Sequence, residues 1–332
     1  MKRRLGRSEI EVSALGMGCW AIGGPFWEGE TPLGWGEVDD AESIRAIHAA
    51  LDHDVNFFDT ANVYGAGHSE RVLARALKDR RDKVVLATKF SNFFYEETKQ
   101  VIGSSASPVC IHMALEDSLR RLDTEYIDLY QFHDNGYPAE KAGKVRDTLE
   151  ELVEEGKIRA YGWSTDFEDR AQVFAQGEHC AAIQLQLNVL DDNPEVVALC
   201  ERENLAAINR GPLAMGLLTG KYTGETRPSA DDVRGEKSPE WMSYFKDGKP
   251  APDWLAKRNA LREILTSGGR TLAQGALGWL WARSDATIPI PGFRTEEQVA
   301  ENCKAMEFGP LSPDQMKEID NILERYQLEL KR

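Results

Sequence analysis

Residues 56–64 read NFFDTANVY: Phe57 and Phe58 run straight into a carboxylate, Asp59, and five residues later comes a phenol, Tyr64. A short apolar run bounded by turn residues fits a buried strand. Such a strand has no use for an acid at its end, so Asp59 either caps the following turn or is held at a strand mouth for chemistry. Two later stretches shift the balance toward chemistry. VVLATKF (84–90) carries Lys89 at the end of an apolar run, and IDLYQFHD (127–134) carries His133 at the end of another. Asp, Tyr, Lys and His delivered from successive strand ends is the arrangement expected at the C-terminal face of a parallel barrel.

The rest of the chain extends that pattern in both directions. Arg3–Leu5 and Ile10–Val12 flank GRSE and read as a hairpin that plugs a barrel bottom. A strand over 14–17 then enters GMGCWA, a formal G-x-G-x-x-A, but the glycines lead into a loop holding Trp27 and Trp35 and no helix opens there, which argues against a dinucleotide fingerprint. Helical spacing is predicted over 39–51, 67–77 (with Ser69 as its cap), 107–122, 142–155, 166–176, 195–202, 272–283, 296–304 and 313–325. Doubly buried strands are predicted over 84–88, 127–132, 158–163, 183–187, 206–209 and 287–290. The expected fold is α/β: a (β/α)8 TIM barrel forming one domain over 1–332, with an N-terminal hairpin, a long loop after strand 7 and an extra C-terminal helix. That loop, 221–253, keeps no period, and Trp241, Tyr244 and Phe245 within it favour a lid over a ligand.

Composition narrows the class. A formal net charge of -15 in 332 residues argues against nucleic acid as a partner, which would require a basic face. Cys19, Cys110, Cys180, Cys200 and Cys303 are widely spaced with no C-x-x-C, so neither a disulfide framework nor a metal site is indicated. No run approaches the length of a membrane span and no apolar leader follows Met1. A cytoplasmic enzyme is expected, with no membrane partner; the sequence leaves homo-oligomer formation open.

Five stretches, DTANVYGAGHSE (59–70), LATKF (86–90), LYQFHD (129–134), GPLAMGLLTGK (211–221) and IPIPGFRTEEQVAEN (288–302), occur in the order and spacing of the aldo-keto reductases, and the chain resembles that family over nearly its whole length. The nearest resemblance is to bacterial branches that also resemble potassium-channel β subunits. The resemblance implies a catalytic tetrad of Asp59, Tyr64, Lys89 and His133 and a bound NADPH/NADP lying extended across the barrel mouth without a Rossmann domain. It implies that Ser164 and Gln184 hold the nicotinamide carboxamide, although Thr165 stands where many relatives have asparagine. Arg210 stands where many have a tyrosine stacked on the nicotinamide, and a guanidinium plane can substitute for that ring.

The chemistry also follows from the residues. Adding hydride to a carbonyl leaves an alkoxide unless an acid is at hand. Tyr64 is that acid, its phenol pKa near 10 expected to be lowered by the Lys89 ammonium, while Asp59 keeps Lys89 charged and His133 orients the carbonyl oxygen. For the cofactor, Gly292 admits a phosphate, Arg294 suits a 2'-phosphate, and Gln298 and Asn302 share a helix face aimed at the adenine. The loop from Pro212 and Leu213 through Gly216 to Lys221 is expected to wrap the pyrophosphate, bordered by Trp20. Trp20, Trp27, Phe90 and Trp241 are expected to wall the substrate pocket. The expected activity is NADPH-dependent reduction of a small aldehyde, ketone or sugar. Two rivals are an NADPH-binding regulator that senses redox state, and a carbohydrate-handling barrel with paired carboxylates, for which no second acid closes a strand.

Overall fold

The structure, a computed structural model, describes residues 1–330, with side-chain surroundings through residue 326. Eight parallel strands neighbour one another in chain order: β1 (Met17–Gly18), β2 (Phe57–Asp59), β3 (Val85–Phe90), β4 (Ile127–Phe132), β5 (Ile158–Ser164), β6 (Cys180–Gln186), β7 (Ala206–Arg210) and β8 (Thr287–Pro289). The last meets the first, since Gly16 N donates to Pro289 O (2.9 Å), Gly18 N donates to Pro291 O (3.0 Å), and Gly18 bridges Gly292 in parallel register. Glycine is required at this seam: a Cβ on residue 18 would lie 2.7 Å from the Ile290 carbonyl oxygen. The sheet is thus the expected (β/α)8 barrel.

Strand alternation divides the apolar residues between two cores. Inside, Phe57, Val85, Ala87, Leu129, Ile208 and Ile288 meet Leu5, Ile10 and Val12 of the N-terminal hairpin (Lys2–Arg4 with Glu11–Ser13), which closes the barrel bottom as expected. Outside, Tyr130, Phe132, Trp163 and Ile183 face the helices α1 (Asp40–Asp52), α2 (His68–Leu77), α3 (Pro108–Leu122), α4 (Ala139–Glu154), α5 (Glu168–Ala175), α6 (Pro194–Arg202), α7 (Pro252–Leu265), α8 (Leu272–Arg283) and α9 (Glu296–Phe308), while α10 (Pro313–Leu330) packs on α7 and α8. Asp39 caps α1 through the amides of Ala41 and Glu42, and Thr271 with Gln274 forms a capping box on α8, contacts worth about 1 kcal/mol each.

One local expectation is corrected, and two elements that the sequence patterns did not predict are present. Ser69 does not cap α2; Gly67 holds that position with φ 87°, and the Ser69 hydroxyl instead donates to Cys19 O (2.8 Å) and accepts from Thr60 Oγ1 (2.8 Å), tying the helix to the barrel mouth. The segment after β3 is ordered as a hairpin, Asn92–Tyr95 with Gln100–Ser104, extended by Trp27–Glu28 and Thr31–Pro32 into a four-stranded sheet at the cavity's edge. The stretch after the long loop contains α7, whose first turn begins at Pro252, a residue suited to a helix start. No helix among the described residues is long and apolar enough to cross a membrane.

Candidate active site

Lys89 is fully buried and donates three hydrogen bonds: to Asp59 Oδ1 (2.5 Å), to the Thr60 carbonyl oxygen (2.8 Å) and to Tyr64 Oη (3.2 Å). The other carboxylate oxygen, Asp59 Oδ2, accepts from Gln131 Nε2 and Gln184 Nε2, both at 2.8 Å. The Lys89 ammonium and both Asp59 carboxylate oxygens therefore have partners, as buried charges require. Gln131 was not among the expected site residues, although it stands one residue before the end of an apolar strand, as Lys89 does. The Tyr64 ring is stacked on Trp20 (centroids 5.8 Å apart, 21° between planes) and meets His133 edge-on (5.9 Å, 89°). His133 Nδ1 is buried with no hydrogen-bond partner.

These surroundings set the protonation states. Burial, the largest influence on Tyr64, raises its pKa; Lys89 pulls it down, Asp59 pushes it up, and the balance lies above the ordinary phenol value. The expected lowering by Lys89 is present but outweighed. Lys89 is likewise opposed by burial, yet Asp59 and Tyr64 hold its pKa above the usual ammonium value. His133 is driven well below the ordinary imidazole value, first by burial and then by Lys89 and Arg210. At neutral pH the site thus holds a protonated phenol, an ammonium and a neutral imidazole around one point.

Asp59, Tyr64 and His133 open into a cavity of about 980 Å³ whose walls also include Ser164, Gln184, Arg210, Pro212 and Leu213. The same cavity is lined by Gly216, Lys221, Gly292, Arg294, Gln298 and Asn302, so the expected cofactor residues share one cleft. Gln298 Oε1 accepts from the Arg294 backbone amide (2.8 Å), and Arg294 donates to the Glu37 carbonyl oxygen (2.5 Å), which fixes the guanidinium beside the α1 entry. A Cβ on Gly292 would meet nothing nearer than the Gly18 carbonyl oxygen at 3.9 Å, leaving backbone open to the cleft.

Two of the four expected pocket aromatics are misplaced. Trp20 lines the cavity, and Trp241 of the long loop does so 6.2 Å from it. Phe90 faces outward, stacked on Tyr130 (4.6 Å) and Phe132 (5.4 Å), because it follows inward-facing Lys89 on one strand. Trp27 is absent from the wall while its strand neighbours Phe26 and Glu28 are present, the same alternation at work. Trp35 takes part instead, edge-on to Trp20 at 5.2 Å.

Arg234, in the loop without period, also went unread. Its guanidinium is clamped by both Asp232 carboxylate oxygens (2.8 and 2.6 Å), donates to the Met215 carbonyl oxygen (3.1 Å) and lies over the Trp35 ring at 4.3 Å. It thereby ties the long loop to the turn 214–216, where Ala214, Met215 and Gly216 all have positive φ. Nearby Lys221 has its pKa lowered, first by burial and then by Arg234 and Arg294, with Asp232 opposing. That concentration of positive charge suits an extended anionic ligand such as the phosphates of a dinucleotide.

The residues 14–324 match the family model described as Aldo/keto reductase family. The chain belongs to the aldo-keto reductases. Aldo-keto reductase YhdN of Bacillus subtilis is 33% identical over 322 residues, covering 95% of this chain and 91% of that protein. The NADH-specific methylglyoxal reductase of Escherichia coli is 29% identical, covering 97% and 98%. Among solved structures, the glycerol dehydrogenase AKR11B4 from Gluconobacter oxydans superposes with a TM-score of 0.81 at 31% identity, covering 98% of this chain and 95% of that one. Aldo-keto reductases are oxidoreductases that use nicotinamide cofactors.

Proposed function

We propose that the whole chain, 1–332, works as one barrel that reduces the carbonyl of a small aldehyde or ketone with NADPH, with Tyr64 as the general acid. The observation that carries this reading is the single Lys89 ammonium bridging Asp59 Oδ1 and Tyr64 Oη at the cavity floor. A bound nicotinamide cofactor supplies the hydride. Tyr64 gives its proton to the carbonyl oxygen, and Lys89, held charged by Asp59, stabilises the phenolate left behind. Neutral His133 faces the same point and orients that oxygen by hydrogen bonding. Gln131 and Gln184 keep Asp59 aimed at Lys89, which leaves the Gln184 amide oxygen and Ser164 for the carboxamide of the cofactor.

Arg294, Lys221 and Arg234 support a preference for NADPH, because a 2'-phosphate adds a dianion where positive charge is already gathered. Glu296, which would oppose it, is paired with Arg45 at 3.1 Å. The apolar wall of Trp20, Phe26, Leu33 and Trp241 favours substrates with a flat or apolar body. The reading is tested by following cofactor absorbance with a panel of aromatic and aliphatic aldehydes, ketones and aldoses against NADPH and NADH. Turnover of at least one carbonyl class, faster with NADPH, is expected. Cofactor binding without turnover of any of them would favour a redox-sensing regulator.

A further inference from the structure

We propose that Arg210 makes this site discriminate between the two redox states of its cofactor, its guanidinium disfavouring the cationic oxidised nicotinamide and leaving the neutral reduced ring untouched. The inference rests on the reading above that a nicotinamide dinucleotide occupies the cleft.

The position of the ring follows from what already fills the site. Trp20 stacks on Tyr64 and closes one flank of the phenol, with Trp35 and Trp241 packed against Trp20. The other flank is formed by the ends of β5, β6 and β7, where Ser164, Gln184 and Arg210 line the cavity. A ring that delivers hydride to a carbonyl held by Tyr64 and His133 has room only on this second side.

The Arg210 side chain is anchored there. It donates from one terminal nitrogen to Gln186 Oε1 (3.2 Å) and from the other to the Asp166 carboxylate, and its side chain remains 29% exposed. A guanidinium has five N–H donors, so part of its fork still faces the cleft. Asp166 is meanwhile engaged elsewhere as well, accepting from the Gln186 backbone amide (2.7 Å) and from Asn135 Nδ2 (3.1 Å). The positive charge also acts on the proposed catalytic groups: Arg210 opposes the rise of the Tyr64 pKa and adds to the lowering at His133. A tyrosine at this position would offer an aromatic face of the opposite electrostatic sense, attractive to a pyridinium.

NADP+ and NADPH carry identical phosphates, so the ratio of their dissociation constants isolates what the protein does to the ring. Both constants are to be measured by fluorescence titration on wild type, Arg210→Met, Arg210→Lys and Asp166→Asn. Removing the charge in Arg210→Met is expected to lower Kd(NADP+)/Kd(NADPH) by about three- to tenfold, given partial offset by Asp166. A tenfold change corresponds to about 30 mV in the two-electron potential of the bound cofactor, lower in the variant. Arg210→Lys keeps the charge and should keep the wild-type ratio, and Asp166→Asn removes the offsetting carboxylate and should raise it. An unchanged ratio in Arg210→Met, or equal weakening of both forms, overturns the inference and leaves Arg210 a structural residue. Should Arg210→Met fail to fold, Asp166→Asn decides alone, and an unchanged ratio there overturns it equally. A wild type that binds neither form overturns the cofactor reading and this inference with it. Binding of both with an unresponsive ratio overturns this inference only.

Discussion

Along five barrel strands an apolar inward residue is followed two positions later by a polar one: Phe57 then Asp59, Ala87 then Lys89, Leu129 then Gln131, Ala182 then Gln184, Ile208 then Arg210. The first members meet the N-terminal hairpin in a dry plug. The second members form the hydrogen-bonded floor and rim of the cavity. Two residues are one repeat of strand alternation, so both sets point inward and differ only in height. Stability and the proposed chemistry are therefore stacked in separate layers of one interior. Damage to the lower layer should cost folding, and damage to the upper should cost function.

The largest expected effect is in the upper layer. Lys89→Met should lower the rate of carbonyl reduction by about 100 to 10,000-fold, the usual range for loss of a proton-transfer arrangement. The sign of its pH effect follows from the site: Lys89 draws the phenol pKa down against burial, so its removal raises that pKa further and moves the alkaline limb of the reduction profile upward. In the wild type that limb should already lie above the ordinary phenol value, and no acidic limb should occur in the ordinary imidazole range, because His133 is held neutral well below it. An unmoved alkaline limb in the variant, with the chemical step limiting, would show that Lys89 and Tyr64 are not coupled.

In the lower layer, Leu129→Ala should cost about 2–5 kcal/mol of stability through the cavity it leaves, with turnover of the folded fraction preserved. Urea unfolding and turnover per folded molecule check both halves. A large loss of turnover without destabilisation would break the division into layers. Elsewhere in the cleft, Arg294→Ala should weaken NADPH binding by about 10 to 150-fold and leave NADH nearly unchanged, as expected for loss of a charge-assisted bond to the 2'-phosphate. Equal wild-type affinity for the two cofactors would mean that the 2'-phosphate does not reach Arg294.

How much of this could be read in advance depended on periodicity. Asp59, Lys89 and His133 were legible because each ends an apolar strand that has no structural need of it. Gln184 was legible only through the family resemblance, and Gln131, whose signal in LYQFHD resembles that of Lys89, was not singled out. The error at Phe90 was avoidable, since inward-facing Lys89 obliges its neighbour to face the helices. Ser69 was misread because its hydroxyl bonds across the fold to Cys19, a contact no local pattern encodes. Arg234 was hidden for a different reason: it acts through Trp35 and Met215, which only folding brings together, and its own segment has no period to place it.

The proposed reduction depends most directly on the Tyr64 proton. Tyr64→Phe removes one oxygen and almost no volume, and it leaves Lys89 bound to Asp59 and the Thr60 carbonyl oxygen. Measured on one preparation, carbonyl reduction should fall by at least about 100-fold while the NADPH dissociation constant stays at the wild-type value. Near-wild-type turnover in that variant would place the acid elsewhere and contradict the account.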